Sequence, residues 1–305
     1  VIDLHLHLDG SLTPTEIVEL AHMSKVSLPT EDPEELRSLL TFDGRGTLND
    51  YLKKFELPLS VLQTRETVGY AVYLLAGRLR ALGCEYAEIR FAPILHTHRQ
   101  FSADGILRGA LDGLNESKFP AKLILCCMRG ATERENLSTV CLAAKYHRDG
   151  VVGVDLAGAE ALYPTEGYRE VFSLASRLGL NITIHAGEAA GEDSVKAALD
   201  FGAKRIGHGV AAARSSSLLE RIKRDDVLIE SCPTSNVQTG AVPSLGEHPI
   251  GRFLAEGVPV ALCTDNMTVS DTDPVREWER VKGALSLTDA DLDRLTENAR
   301  KHRFC

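Results

Sequence analysis

Apolar and polar residues alternate through the opening stretch, Ile2-Asp3-Leu4-His5-Leu6-His7-Leu8-Asp9, the period-two pattern of a strand. Thr13-Pro14 opens an amphipathic helix that runs to about Met23, proline fitting the first helical turn. A helical insertion follows. Within it Thr47-Leu48-Asn49-Asp50 reads as a cap, and Leu48, Tyr51, Leu52 and Phe55 fall at i, i+3, i+4 and i+7, an apolar stripe expected to end at Pro58 and to pack on the core. From Thr64 the period is helical as far as Ala81, with Arg78 and Arg80 near the end and Gly83 closing it, as the helix dipole and a glycine cap favour.

Beyond Gly83 the pattern becomes a regular alternation. Short apolar runs at 84–91, 121–128, 151–156, 181–185, 205–208, 227–232 and 258–264 read as strands, and helical patterns occupy 103–117, 133–147, 166–178, 193–201, 214–223 and 249–255. With the first strand this makes about eight strands alternating with helices. The tally predicts an α/β fold, a (β/α)8 TIM barrel, as one domain over residues 1–305 with a helical insertion after the first strand. Runs such as Val151-Val152-Gly153-Val154 are almost continuously apolar, as parallel strands covered on both faces are. A doubly wound open sheet is the alternative, disfavoured because no G-x-G-x-x-G follows an early strand. Asp271-Thr272-Asp273-Pro274 caps a helix over 275–285, and another is expected over 288–300.

Composition narrows the function classes. With 44% hydrophobic and 25% charged residues the chain can bury a large core. A net charge of −9 argues against non-specific binding to nucleic acid or to an anionic membrane, which need clustered Lys and Arg. Small ligands are the expected partners. The seven cysteines (Cys84, Cys126, Cys127, Cys141, Cys232, Cys263 and Cys305) form no C-x-x-C pair and mostly sit in strand-like runs, so they read as reduced, buried thiols. With no signal peptide before the first strand and no apolar run of about 20 residues, a cytoplasmic location is expected.

Residues unsuited to a core recur where the apolar strands stop. They are His185-Ala186-Gly187-Glu188, Ile206-Gly207-His208-Gly209, Ser231-Cys232-Pro233-Thr234-Ser235-Asn236 and Thr264-Asp265-Asn266. In a barrel such ends meet on one face, where active sites of this fold lie. On the first strand His5 and His7 share a face, roughly 6.6 Å apart. His5, His7, His185 and Asp265 together make three imidazoles and a carboxylate, a set suited to Zn2+ with one position left open for water. A binuclear site would need a bridging ligand such as a modified lysine, and the fourth strand ends Asp155-Leu156-Ala157-Gly158 without one, so one metal is expected. Glu188, just beyond a strand end, is placed to face the metal water as a general acid, its pKa raised by enclosure. His208 can orient that water or stabilise charge beside it. A second H-x-H, His96-Thr97-His98, follows Pro93 with Arg99 adjacent and is expected to be an exposed loop without a ligand role. His22, His147, His248 and His302 lie in or beside helices with no partner motif.

Taken in order, these motifs with His5-Leu6-His7-Leu8-Asp9-Gly10-Ser11-Leu12 and Asp155-Leu156-Ala157-Gly158 closely resemble the adenosine deaminase family of zinc-dependent (β/α)8 aminohydrolases, over nearly the whole chain. The resemblance implies one Zn2+ on His5, His7, His185 and Asp265, and attack of zinc hydroxide on C6 of a purine nucleoside while Glu188 protonates N1. Adenosine or 2'-deoxyadenosine would yield the 6-oxo nucleoside and ammonia. It further implies that His208 orients the hydroxide, and that His7 and Asp9 lie on the substrate side, Asp9 at a ribose hydroxyl. Gly158 would contact purine N3 through its backbone, and the Leu48, Tyr51, Leu52, Phe55 stripe would form a lid over the base. The chain departs from the familiar pattern at Asn266, where many members carry an Asp that hydrogen-bonds purine N7. An amide can donate that bond without taking up a proton. Ala159 is a second departure, where Asp is frequent. Both leave open a related 6-aminopurine (adenine, a 5'-modified adenosine or aminodeoxyfutalosine), and a nucleoside-binding protein without turnover is the remaining alternative. The H-x-E and P-C-x-x-C signature of the other zinc deaminases is absent.

Overall fold

The computed structural model describes residues 1–99 and 101–304. Its eight strands stand side by side in chain order, each parallel to the next: β1 (Ile2–His7), β2 (Tyr86–Phe91), β3 (Ala121–Met128), β4 (Val151–Ala157), β5 (Asn181–Ala186), β6 (Arg205–His208), β7 (Leu228–Ser231) and β8 (Val260–Leu262). The sheet closes into a barrel where Leu6 bridges Asp265. There the His7 N–H donates to the Asp265 carbonyl and the Asp265 N–H to that of His5, each at 2.8 Å. The joint is therefore made by the backbone of three residues whose side chains the sequence marks as metal ligands.

β8 is shorter than the apolar run 258–264 suggests. Pro259 has no N–H to give a ladder, and at the other end Thr264 turns its N–H and hydroxyl to Asp3 Oδ2 (3.3 and 2.6 Å). Helices follow the strands around the outside. Five precede β2: α1 (Pro14–Ser24), α2 (Pro33–Leu40), α3 (Leu48–Leu52), α4 (Glu56–Val61) and α5 (Arg65–Ala81). Then come α6 (Ala103–Ser117), α7 (Glu133–Lys145), α8 (Arg169–Arg177), α9 (Glu192–Asp200), α10 (Ser216–Arg224), α11 (Pro233–Gln238), α12 (Ile250–Glu256), α13 (Pro274–Leu285) and α14 (Asp289–His302). Among the described residues no helix is long and apolar enough to cross a membrane.

Three expectations need correction. The apolar stripe does not stop at Pro58: a 3-10 turn over Lys53–Phe55 separates α3 from α4, and Pro58 sits inside the first turn of α4, where its missing N–H leaves no helical bond unmade. His96 is fully buried, its Nδ1 2.7 Å from the Leu62 carbonyl, and burial lowers its pKa to about 4. Only His98 of that pair is exposed. Cys141 is exposed on α7, whereas Cys84, Cys126, Cys127, Cys232 and Cys263 are buried free thiols; Cys305 lies outside the described residues.

Inside the barrel, beneath the mouth, runs a layer of charge. Glu88, Arg90, Asp155, Arg205 and Glu230 are all fully buried. Arg90 pairs with Asp155 and Glu230, both at 2.9 Å, and Arg205 with Glu230 (2.7 Å) and Glu88. Buried charges persist only when so paired. This layer is the floor of the site.

Candidate metal centre and active site

The ends of β1, β5 and β8 bring four ligand atoms together. His5 Nε2 and His7 Nε2 lie 3.0 and 3.1 Å from His185 Nε2, and Asp265 Oδ1 is 3.3 and 3.4 Å from the two β1 imidazoles. Ligands bound at about 2.1 Å around a tetrahedral ion stand roughly 3.4 Å from one another, so the set is already near coordination spacing. Second partners fix the ring orientations. His5 Nδ1 meets Glu230 Oε2 at 2.7 Å and His185 Nδ1 meets Asp155 Oδ2 at 2.9 Å. Each carboxylate accepts the Nδ1–H, which leaves the Nε2 lone pairs of His5 and His185 facing each other at 3.0 Å. A shared cation relieves that repulsion, and carboxylate–imidazole–metal chains of this kind are how such ligands are held. The donor set fits a single divalent metal.

Backbone strain accompanies the placement. Asp265 (φ 62°) and His208 (φ 64°) are non-glycine residues in the left-handed region, at a cost of about 1 kcal/mol each. Both turn their side chains across the barrel mouth. Burial disfavours a charge on Asp265, but the close approach of His5 and the surrounding imidazoles overcomes it and holds the carboxyl well below its ordinary range.

Glu188 lies two residues past β5. Its Oε1 is buried without a hydrogen-bond partner, and its Oε2 stands 3.6 Å from His208 Nε2. Burial, with the nearby charges of Asp265 and Glu160, pushes its pKa well above the usual carboxylate value, which favours its protonated form. His208 is the reverse case: burial drives its pKa well down and keeps it neutral. The Asn236 amide donates to His208 Nδ1 at 2.9 Å, and the Asn236 carbonyl oxygen lies 3.1 Å from His248 Nε2. With Nδ1 accepting, the His208 proton sits on Nε2 and points into the site.

These groups form one wall of a cavity of about 290 Å³, at the small end of ligand pockets. Leu48, Tyr51, Leu52 and Phe55 form the facing apolar wall, and Gly158, Ala159, Asp9 and Asn266 line it between. Asp9 Oδ1 and Asn266 Oδ1 are buried without partners, and burial raises the Asp9 pKa to about 6. Unpaired buried polar atoms facing a cavity mark where a polar ligand would be met.

The family model described as adenosine deaminase matches residues 1–305. The adenosine deaminase of Haemophilus ducreyi is 45% identical, over 98% of this chain and 90% of its own length. This chain belongs to the adenosine deaminase family. It is accordingly a hydrolytic deaminase, and the adenosine deaminase of Enterococcus faecalis is also similar, at 38% identity over 98% of this chain and 90% of its own. Among solved structures, an adenine deaminase from Arthrobacter aurescens superposes with a TM-score of 0.90 at 27% identity, covering 100% of this chain and 94% of that one. An Arabidopsis N6-mAMP deaminase superposes at 0.89 with 25% identity, covering 100% and 93%.

Every site residue anticipated for a member of the adenosine deaminase family reaches this one cavity or its metal group. Supporting residues were missed. Arg90 and Glu230 carry no local motif, and only the barrel brings them under His5 and His185. His248, with no partner motif in the sequence, is buried one hydrogen bond from Asn236. Arg129, Met128 and Leu95 line the cavity from β3 and the turn after β2 without a sequence signal. One signal was available in Gly10: a Cβ there would fall 1.8 Å from Asn266 Oδ1, so glycine after Asp9 lets the loop that follows β8 pack against the β1 turn.

Proposed function

We propose that this protein deaminates adenosine and 2'-deoxyadenosine hydrolytically, taking up water and releasing inosine or 2'-deoxyinosine and ammonia, with one Zn2+ on His5, His7, His185 and Asp265. The observation that carries the reading is the convergence of those four ligand atoms beside a buried carboxyl group, Glu188, whose pKa is raised. When bound, a zinc ion supplies a water acidified toward neutral pH and held for attack. Addition at purine C6 moves electrons onto N1, and Glu188 delivers its proton there. His208, neutral with its proton on Nε2, hydrogen-bonds the attacking oxygen and fixes its direction. Asp9 receives a ribose hydroxyl, the Gly158 backbone meets N3, and the Asn266 amide donates to N7. The Leu48, Tyr51, Leu52, Phe55 wall covers the base and excludes bulk water.

The test is ammonia release from adenosine by the zinc-loaded protein, with the loss of the adenine absorbance band followed in parallel. Glu188→Gln is expected to keep its zinc and lose turnover by at least about 10³-fold. No deamination by the parent, or substantial activity in the variant, would overturn the reading. A second reading, a related 6-aminopurine such as adenine or an N6- or 5'-modified adenine nucleotide, is favoured by the small Ala159 at the cavity wall and by the likeness to adenine and N6-mAMP deaminases. Side-by-side rates on those substrates separate the two.

A further inference from the structure

Glu188 has little to hold its own side chain. One carboxyl oxygen has no partner and the other is 3.6 Å from His208, beyond hydrogen-bond distance. Apart from a weak contact with the Thr239 hydroxyl, its placement is therefore set by its backbone. That backbone is gripped by a second carboxylate. Glu160, three residues past β4 and 1% exposed, accepts the N–H groups of Gly187 (2.7 Å), Glu188 (3.0 Å), Ala189 (2.7 Å) and Ala190 (3.0 Å). The Ser194 hydroxyl donates a fifth bond at 2.5 Å. Successive amides turned toward one point make a nest of the kind that binds anions, and here the chain's own side chain fills it. Behind it, Arg129 Nη2 donates to Thr165 Oγ1 (2.9 Å), Thr165 meets Ser194 (2.7 Å), and the same guanidinium nitrogen reaches the His185 carbonyl (2.7 Å). One connected network thus fixes the metal-ligand strand end and the turn that carries the acid.

We infer that Glu160 is a positioning residue of the deamination: by clamping the amides of residues 187–190 it presents the Glu188 carboxyl to the purine. The inference rests on Glu188 being the proton donor proposed above. A donor displaced by about 1 Å costs about 10²-fold in rate while leaving substrate binding nearly intact.

The experiment measures kcat, KM and zinc content for the zinc-loaded parent, Glu160→Gln, Glu188→Gln and the double variant on adenosine. In Glu160→Gln one acceptor oxygen becomes an amide that cannot accept, so at least two donors lose their partner. We expect kcat to fall about 30-fold or more, KM and zinc content to stay within about threefold, and no further loss beyond about threefold when the change is added to Glu188→Gln. Ser194→Ala, which removes one donor, should lower kcat about three- to tenfold with the same pattern, and it decides the matter if Glu160→Gln does not fold. A kcat near that of the parent, an equal loss in both backgrounds, or a loss shared with KM and zinc would overturn the inference while the function stands. A parent inert on every 6-aminopurine removes the functional reading and takes this inference with it.

Discussion

At the scale of single residues, one enclosure shifts an acid and an imidazole in opposite directions, each toward its uncharged form. Burial raises Glu188 and lowers His208, each in the direction the proposed chemistry needs. The sign follows directly. Glu188 acts with its proton on, so kcat is full below its raised pKa and falls as pH climbs through it; a pH–rate profile should show this alkaline limb, and Glu188→Gln should abolish it along with turnover. The tautomer of His208 depends on Asn236, whose amide donates to Nδ1. Asn236→Ala leaves either ring nitrogen free to carry the proton. It is expected to lower kcat about 10- to 100-fold with little change in KM, measured on protein whose zinc content matches the parent.

At the scale of elements, the outer wall is tightest where α5 crosses α6. A Cβ on Gly69 would lie 2.6 Å from the Gly109 carbonyl oxygen, and one on Gly113 only 1.9 Å from that of Gly69. The obstacle in both cases is backbone, which no rotamer change relieves. Gly113→Ala should therefore push the helices apart and destabilise the protein by about 1–3 kcal/mol or more, read as a lower urea midpoint with an unchanged slope. The insertion between β1 and β2 has the opposite character. Its stripe is interrupted by a 3-10 turn and restarts around Pro58, which lets four side chains from short helical pieces face the cavity together.

At the scale of the whole molecule, the barrel is closed by residues of the candidate metal group. The β1–β8 joint consists of the His5, His7 and Asp265 backbone, and the Arg90–Asp155–Glu230 bridge beneath it ties β2, β4 and β7 while orienting His5 and His185. Closure and ligand geometry are therefore coupled. Arg90→Met would leave buried Asp155 without its guanidinium partner and Glu230 with Arg205 alone, a loss of about 3–5 kcal/mol, and would loosen both imidazoles, for which zinc affinity is expected to fall about 10- to 100-fold. Denaturation curves and competition with a chelator measure the two effects separately. A variant that lost stability but kept its zinc affinity would show that the floor supports the barrel without tuning the ligands.

The sequence by itself determined the barrel and the residues at its mouth. Strand and helix periods are local, eight alternations leave few ways to bury the apolar runs, and polar residues at strand ends are conspicuous in an apolar setting. It misjudged His96, because a buried imidazole bonded to the Leu62 carbonyl looks no different in a sequence from an exposed one. It could not show Arg90 and Glu230 under the metal group, the Asn236–His248 contact, or Glu160 filling the nest of residues 187–190. Those depend on which side chains from distant strands occupy the same height of a closed, tilted sheet. Only the tertiary structure decides that, because hydrogen bonds and ion pairs act over about 3 Å, whatever separation along the chain the partners have.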